Sequence, residues 1–462
     1  MKNTANKRNE TLLIVMMLTV TLSSMSILLF NFVLPLISEE FHLTNSQVNW
    51  VTSSYTLLYG VGTAIYGKLA DRFKLKHLLT FGLMVFSLAS LLGFFSTTYW
   101  LLLVSRCLQA VGAAAIPAAA TLIPIRYYPM EQRGKAMGTV FAGVALGSAL
   151  GPITSAMVVS VLDWRWLFCI PLLLLATLPF YLTLLGDEQK GETMIDWLGG
   201  ALLALSVAQL LLAVTMHLSW LIGGVVSIAC FIVRIRVAKN PFVQPALFRN
   251  REYSLYIIVA FVVTGIGYSL FFITPIFLAD VQELQASQIG LAMVPAAAFT
   301  AILNRQGGKL ADAKGTTSLF LIASALVFSC FMVLSTFISA SAWLIACFLI
   351  LGNVGQSFLS IAMSRSISFT LPAEHTGIGM GLLMMQNFIS GSIAIGIYGR
   401  IIDVEAEQLW NPLSFSSVGA VYSNLFLALA LLHVVVFITY RYSIKKISRQ
   451  NSERSSANPK RT

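Results

Sequence analysis

The sequence predicts an all-α protein built within a membrane: two six-helix bundles that run the same way through the bilayer, with two further helices between them. Three observations carry this expectation. The chain is 57% hydrophobic and only 11% charged over 462 residues, where a soluble globular protein carries about 25% charged residues. The deficit extends along the whole chain, so no water-soluble domain is expected. Apolar runs of about 20 residues, the length that crosses a bilayer as a helix, follow one another from end to end. Finally, Gly-Lys-Leu-Ala-Asp occurs twice, at 67–71 and 308–312, each time closing an apolar run and followed by basic residues. A repeat in the same slot of two similar arrays marks a duplication with parallel halves.

Taken in order, fourteen runs qualify: 12–36, 47–68, 77–97, 100–125, 136–160, 164–185, 197–216, 218–238, 253–279, 286–304, 317–338, 341–364, 376–400 and 419–440. The seventh and eighth nearly touch and read as a helical hairpin. The organisation expected is therefore a first six-helix bundle over 1–186, a hairpin insertion with its linkers over 187–250, a second six-helix bundle over 251–442, and a basic tail over 443–462. Two inserted spans preserve sidedness, so both pentapeptides face the same side. The first run is read as an uncleaved span, because no small-residue cleavage site follows it.

Charge fixes the expected orientation. With the N-terminus placed in the cytoplasm, every Lys and Arg except Arg106, Arg165 and Arg400 falls in a cytoplasmic segment, a strong positive-inside bias. Both termini are then cytoplasmic, and Trp50, Trp100, Trp164, Trp166, Trp220, Trp343 and Trp410 gather at the outer interface. The net charge of +11 belongs to loops and tail, which makes membrane lipid rather than nucleic acid the expected contact. The five cysteines lie singly in apolar runs and read as small hydrophobes, neither disulfides nor metal ligands.

Several positions carry more than packing. Gly67, Asp71 and Arg72, with Gly308 and Asp312 in the second copy, suggest a latch: a glycine where helices approach and a helix-ending acid among basic neighbours. Gly143, Gly147 and Gly151 recur every four residues on one face of the fifth run, where small residues let helices pack closely, and Pro152 permits a bend. Arg106 is the one cation well inside a run, with Gln109 on nearly the same helical face. It is expected to face the interior and find partners, the alternative being outward snorkelling. Asn31, Tyr55, Tyr59, Gln109, Asn353, Gln356, Gln386 and Asn387 supply neutral polarity, and the sets near 352–357 and 384–387 are the expected binding face for a small amphipathic molecule. All 19 Asp and Glu map to loops or helix ends. Proton-carrier candidates reduce to Asp71, Asp163, Asp312, Asp403 and the intramembrane His433.

These motifs resemble those of the major facilitator superfamily. Residues 67–72 with Lys74 and Lys76 look like its loop signature, and 106–114 like its fourth-span motif, with Ala110 in place of the usual Gly. Gly143, Gly147, Gly151 and Pro152 resemble the antiporter motif of drug exporters, with Ser155-Ala156 standing where Gly-Gly is usual. Trp164-Arg165-Trp166-Leu167-Phe168 resembles the sixth-span start of the fourteen-span drug–proton antiporters, and 64–71 with Ser423-Asn424-Leu425 gives a look closest to Gram-positive tetracycline exporters. The resemblance implies a monomeric multi-pass protein of the cell membrane with the major facilitator fold. It implies efflux of a small amphipathic, antibiotic-like compound, powered by the proton gradient, with no cofactor and no metal. In this picture the first-loop latch gates, Arg106 couples, and the fifth-span glycines hinge.

One departure matters. That group carries a carboxylate in its first span and often another near the penultimate one. Here the corresponding stretches read Met25-Ser26-Ile27 with Asn31, and Ile389-Ser390-Gly391-Ser392, without an acid. An uncoupled facilitator, or an exporter of an endogenous metabolite, is therefore the competing expectation, and a non-moving sensor a third. No nucleotide-binding glycine loop occurs in a soluble context, and an enzyme is not expected.

Overall fold

A computed structural model describes residues 2–70, 72–186, 196–371, 373–404, 409–414 and 418–457, and among them there is no strand. The helices in chain order are α1 (Lys2–Leu29), α2 (Leu34–Phe41), α3 (Asn45–Val48), α4 (Trp50–Leu69), α5 (Leu75–Phe94), α6 (Tyr99–Ala113), α7 (Ala115–Tyr127), α8 (Met130–Val159), α9 (Cys169–Leu172), α10 (Leu178–Leu184), α11 (Trp197–Thr215), α12 (Trp220–Val237), α13 (Arg251–Asp280), α14 (Ala286–Thr336), α15 (Ala342–Phe369), α16 (Ala373–Asp403) and α17 (Ala420–Ala457). Local sequence explains the breaks. Pro35 sits in the first turn of α2, and His42 ends that helix in the left-handed region at φ 52°. Thr44 and Gln47 form a reciprocal capping box that starts α3. Inside α14 the chain turns at Gly315, where φ is 81°; only glycine takes that conformation without strain. The result is two helical arms, with the second Gly-Lys-Leu-Ala-Asp copy near the end of the first arm. The first copy closes α4, so both copies occupy the same place in their repeats.

All fourteen segments expected to span are largely helical where described, but among the described residues only eleven helices are long and apolar enough to count as spans. The shortfall has a physical cause. Helix α4 is long enough, yet it carries Thr52, Ser53, Ser54, Tyr55, Thr56 and Tyr59, all buried, and so reads as too polar. The apolar stretches in α8 and in the first arm of α14 are short, Leu150–Val159 and Gln288–Asn304. Helices that face protein instead of lipid need not be apolar all round. The chain is an all-helical, multi-pass membrane protein.

Before residue 186, α1 packs on α8, and α5 and α4 on α6; beyond residue 251, α14 packs on α15 and α17, and α13 on α15 and α16. Two seams join these groups, α4 with α16 and α8 with α14, and the α11–α12 hairpin lies against α4 and α16. Leu57 and Val61 of α4, Val207 and Leu211 of α11, and Met385 and Ile389 of α16 share one apolar cluster. The hairpin thus covers the α4–α16 seam. The cysteines are free thiols.

Candidate functional site

The fold has two ends: the motif end, where the two pentapeptides lie, and the tryptophan end opposite. Arg106 on α6 is fully buried and does not snorkel. Its Nε donates to the Val51 carbonyl at 3.2 Å, and its Nη1 donates to Gln109 Oε1 at 2.8 Å. The 3-residue spacing on α6 makes the second bond possible. Gln109 Nε2 in turn donates to Ser90 Oγ at 2.7 Å, tying α6 to α5. The guanidinium lies 4.3 Å from the Phe30 ring centroid and 4.1 Å from that of Tyr55, and this cation–π contact offsets part of its desolvation. Nη2 has no partner, and neither do the hydroxyls of Tyr55, Ser26 and Ser23. Ser26 stands beside Tyr55, and Ser23 beside Tyr59.

Tyr59 carries this polar-aromatic region to the second half of the chain. It stacks on Tyr55 at 5.8 Å and meets Phe388 of α16 edge-on at 4.7 Å. A Cβ on Gly60 would strike Phe388 at 2.6 Å, so glycine is needed for this approach. The other expected cavity residues are tied individually. Asn31 Oδ1 accepts from Thr52 at 3.0 Å. Gln356 donates to the Val263 carbonyl at 3.1 Å, and Gln386 to Asn387 Oδ1 at 2.7 Å, which also accepts from Thr264. Gln356 Oε1 and Gln386 Oε1 are buried without partners. Asn353 Nδ2 donates back to the Leu349 carbonyl at 2.9 Å within its own helix. His433 on α17 is buried with both ring nitrogens unpartnered.

The tryptophan end is sealed along the α4–α16 seam. Asp403 accepts from the backbone N–H groups of Asn45 and Ser46 at 2.7 and 2.6 Å. Asn49 donates to the Ile395 carbonyl at 3.4 Å, and Ser392 Oγ to the Ser53 carbonyl at 2.8 Å. On the other seam Gly290 of α14 lies so close to α8 that a Cβ would meet Ala156 at 2.6 Å. At this end Asn45, Ser46, Asn49 and Ser53 make hydrogen bonds that join the helices before 186 to those after 251. Nearby, Arg165 pairs with Glu40 at 2.5 Å and with Asp163 at 3.2 Å.

At the motif end the geometry differs from the expectation. A Cβ on Gly67 or Gly308 would meet nothing within 4 Å, so neither glycine serves a close helix approach in this conformation. Asp71, and the side chain of Asp312, lie outside the described residues. Arg72 is exposed, stacked loosely over Phe73 at 5.8 Å. Lys68 and Ala70 of the motif each have a partner on another element. For Lys68 the contact is with the hairpin linker. Its Nζ donates to the Pro241 carbonyl at 2.6 Å and lies 5.1 Å from the Phe242 ring centroid. Phe242 N–H in turn donates to Asp196 at 3.2 Å, which accepts from Arg234 at 2.9 Å. The hairpin linker is thereby fastened to the end of α4. Arg126, at the end of α7, donates to the Ala70 carbonyl at 2.8 Å.

The glycine stripe packs α8 on α1. A Cβ at Gly143 would reach the Met17 carbonyl oxygen at 2.4 Å, one at Gly147 the Thr21 carbonyl oxygen at 2.4 Å, and one at Gly151 Leu28 Cβ at 3.2 Å. Pro152 lies within α8, and its carbonyl faces Gly290. Sequence reasoning named Asp403 as a proton-carrier candidate and not as the cap on α3, and Lys68 as part of the loop signature and not as the partner of Pro241; it did not find Asp196 with Arg234, or Ser23 and Ser26. Asp196 before the seventh run was legible as an N-cap; the others had no local signal.

The protein is thus a helical membrane protein of two helix groups joined by two seams, with a buried polar site in the first group. The comparisons agree. Residues 16–395 match the family model described as Major Facilitator Superfamily, and the chain belongs to that superfamily. Among relatives, it is 30% identical over 300 residues to Multidrug resistance protein 3 of Bacillus subtilis, a match that covers 62% of this chain and 58% of that protein. It is 24% identical over 378 residues to the multidrug transporter protein MdtP of the same organism, with coverage of 79% and 70%. Among solved structures, a POT family transporter in complex with 5-aminolevulinic acid superposes with a TM-score of 0.72 at 14% identity, covering 94% of this chain and 96% of that one. That likeness speaks to the fold.

Proposed function

We propose that this protein exports a small amphipathic organic compound across the cell membrane, as a fourteen-span monomer with both termini and the motif end in the cytoplasm. The arrangement that carries this reading is the Arg106–Gln109–Tyr55 site, buried beside a sealed tryptophan end. With the tryptophan end outside, the seal holds the outer exit shut while the two motif glycines stand clear. Export follows if the motif end closes and the Asp403 and Ser392 bonds break. The multidrug names of relatives support an exporter of antibiotic-like compounds, tetracycline-like ones included. In this reading the Gly67–Arg72 and Gly308–Asp312 segments close the inner exit, and α8 hinges near Gly151–Pro152. Arg106, Gln109 and His433 remain the intramembrane candidates for coupling to the proton gradient.

A second reading, transport without proton coupling, has its own observation. Among the described residues the only buried carboxylate is Asp196, which is fixed in the hairpin clasp. The test is transport in proteoliposomes loaded with ethidium or rhodamine 123. Proton-coupled efflux predicts dye movement that follows an imposed pH gradient and collapses with an uncoupler. Movement indifferent to the gradient selects the second reading, and no movement beyond protein-free vesicles of either cationic dye or of the labelled anion 1-naphthoate removes export.

A further inference from the structure

We propose that the transported compound is an organic anion, whose carboxylate or equally acceptor-rich group pairs with Nη2 of Arg106; the proposal rests on the export reading above and names its substrate class. Arg106 is fully buried, and a guanidinium stays charged in any protein environment. Its hydrogen-bond partners are neutral, the Val51 carbonyl and Gln109, and its ring neighbours are Phe30 and Tyr55. Among the described residues no carboxylate pairs with it. A buried cation without a counter-charge is the costly half of an ion pair, and two ring faces offset only part of that cost. The missing half is then supplied by something that comes and goes.

The chemistry of the surroundings says what that is. Nη2 can only donate. The Tyr55 ring packs against the guanidinium, and Ser26 stands beside the Tyr55 hydroxyl. A free donor on a positive charge fits an acceptor-only group, such as an ionised carboxylate. The Phe30 and Tyr55 rings fit the apolar body attached to it. The site lies against Val51 at the tryptophan end of α4, two residues before Ser53, which makes the Ser392 contact that seals the exit.

This assignment also supplies a driving force that the sequence otherwise lacks. An anion that leaves a cell with a negative interior moves down the membrane potential, which favours its export about 50-fold per 100 mV for each charge. No intramembrane acid is needed to harvest it.

The test uses the full-length protein in proteoliposomes and in detergent, with 1-naphthoate and benzoate against their neutral amides, 1-naphthamide and benzamide. Each anion is expected to raise the thermal unfolding midpoint at millimolar concentration while its amide does not. Arg106→Gln is expected to abolish the difference, and Arg106→Lys to retain part of it. Labelled 1-naphthoate efflux is expected to rise with an imposed potassium–valinomycin potential, at fixed pH, by tenfold or more across 100 mV. Equal response to acid and amide in the wild-type protein, which needs no variant to fold, overturns the proposal. So does export of rhodamine 123 that neither anion competes, and in that outcome the export reading survives while the anion assignment falls.

Discussion

Asp403, the last residue of α16, caps the first turn of α3 by accepting from Asn45 and Ser46, residues 358 and 357 positions away in the chain. One carboxylate thus holds together the tryptophan ends of the two halves, where α3 leads directly into α4. The bonds are charge-assisted but partly exposed, so their joint contribution is about 1–2 kcal/mol. Asp403→Asn keeps the shape and loses the charge and one acceptor. It is expected to shift the conformational balance toward an open tryptophan end by roughly tenfold. A cysteine placed at Ser392 in a cysteine-free background reports this as faster labelling by an impermeant thiol reagent; an unchanged rate would show that Asp403 does not hold the seal.

Gln109 links Arg106 on its own helix to Ser90 on α5. Gln109→Leu leaves the Arg106 Nη1 group without an acceptor, at a cost of about 1–3 kcal/mol. Ser90→Ala removes only the outer link and is expected to cost less. The order of thermal midpoints, wild type above Ser90→Ala above Gln109→Leu, checks this, and transport should fall in the same order.

The glycine stripe on α8 should not respond uniformly. At Gly147 an added Cβ strikes a backbone carbonyl at 2.4 Å, which cannot move without displacing α1, whereas at Gly151 it touches a leucine side chain at 3.2 Å. Gly147→Ala is expected to destabilise by about 1–3 kcal/mol through overpacking. Gly151→Ala is expected to be near neutral, because the better helix propensity of alanine offsets a small shift of Leu28. Melting of both variants in the same detergent decides it.

The hairpin clasp should respond to pH. Burial alone would raise the Asp196 carboxyl, but the Arg234 guanidinium and the Gly199 and Phe242 amides outweigh it and hold the group below the usual carboxylate range. A carboxyl depressed by folding contributes stability above its unfolded value of about 4, and that contribution disappears as pH falls through the folded value. Amide exchange at Phe242 in the wild-type protein is therefore expected to accelerate, beyond the intrinsic rate, only below about pH 4. In Asp196→Asn it should lie close to the intrinsic rate at every pH. Equal protection in the two proteins at neutral pH would show that the clasp is not held by this carboxylate.

The helices and the duplicated motif were legible in the sequence because both are local: apolar runs, a repeated pentapeptide, a three-residue Arg106–Gln109 spacing. The interior position of Arg106 followed from the cost of exposing a guanidinium to lipid. The span count was less legible, because α4 faces protein with its hydroxyls and tyrosines and so reads as too polar. The seal and the clasp were not legible at all. Asp403 with Asn45, and Lys68 with Pro241, join segments far apart in the chain through backbone groups that no side-chain pattern announces. Gly67 shows the opposite limit: a sequence names a residue suited to close approach but not the conformation in which the approach occurs.

The most direct measurement of the central claim, that two halves alternate about the Arg106 site, is a pair of distances between spin labels in lipid nanodiscs. One pair sits at Thr44 and Val404 beside the seal, the other at Arg72 and Lys314 at the motif end. The account predicts a short seal distance without solute, and a second, longer population when a transported compound is added, accompanied by shortening at the motif end. Distances at both ends that stay single and fixed under every condition would contradict it.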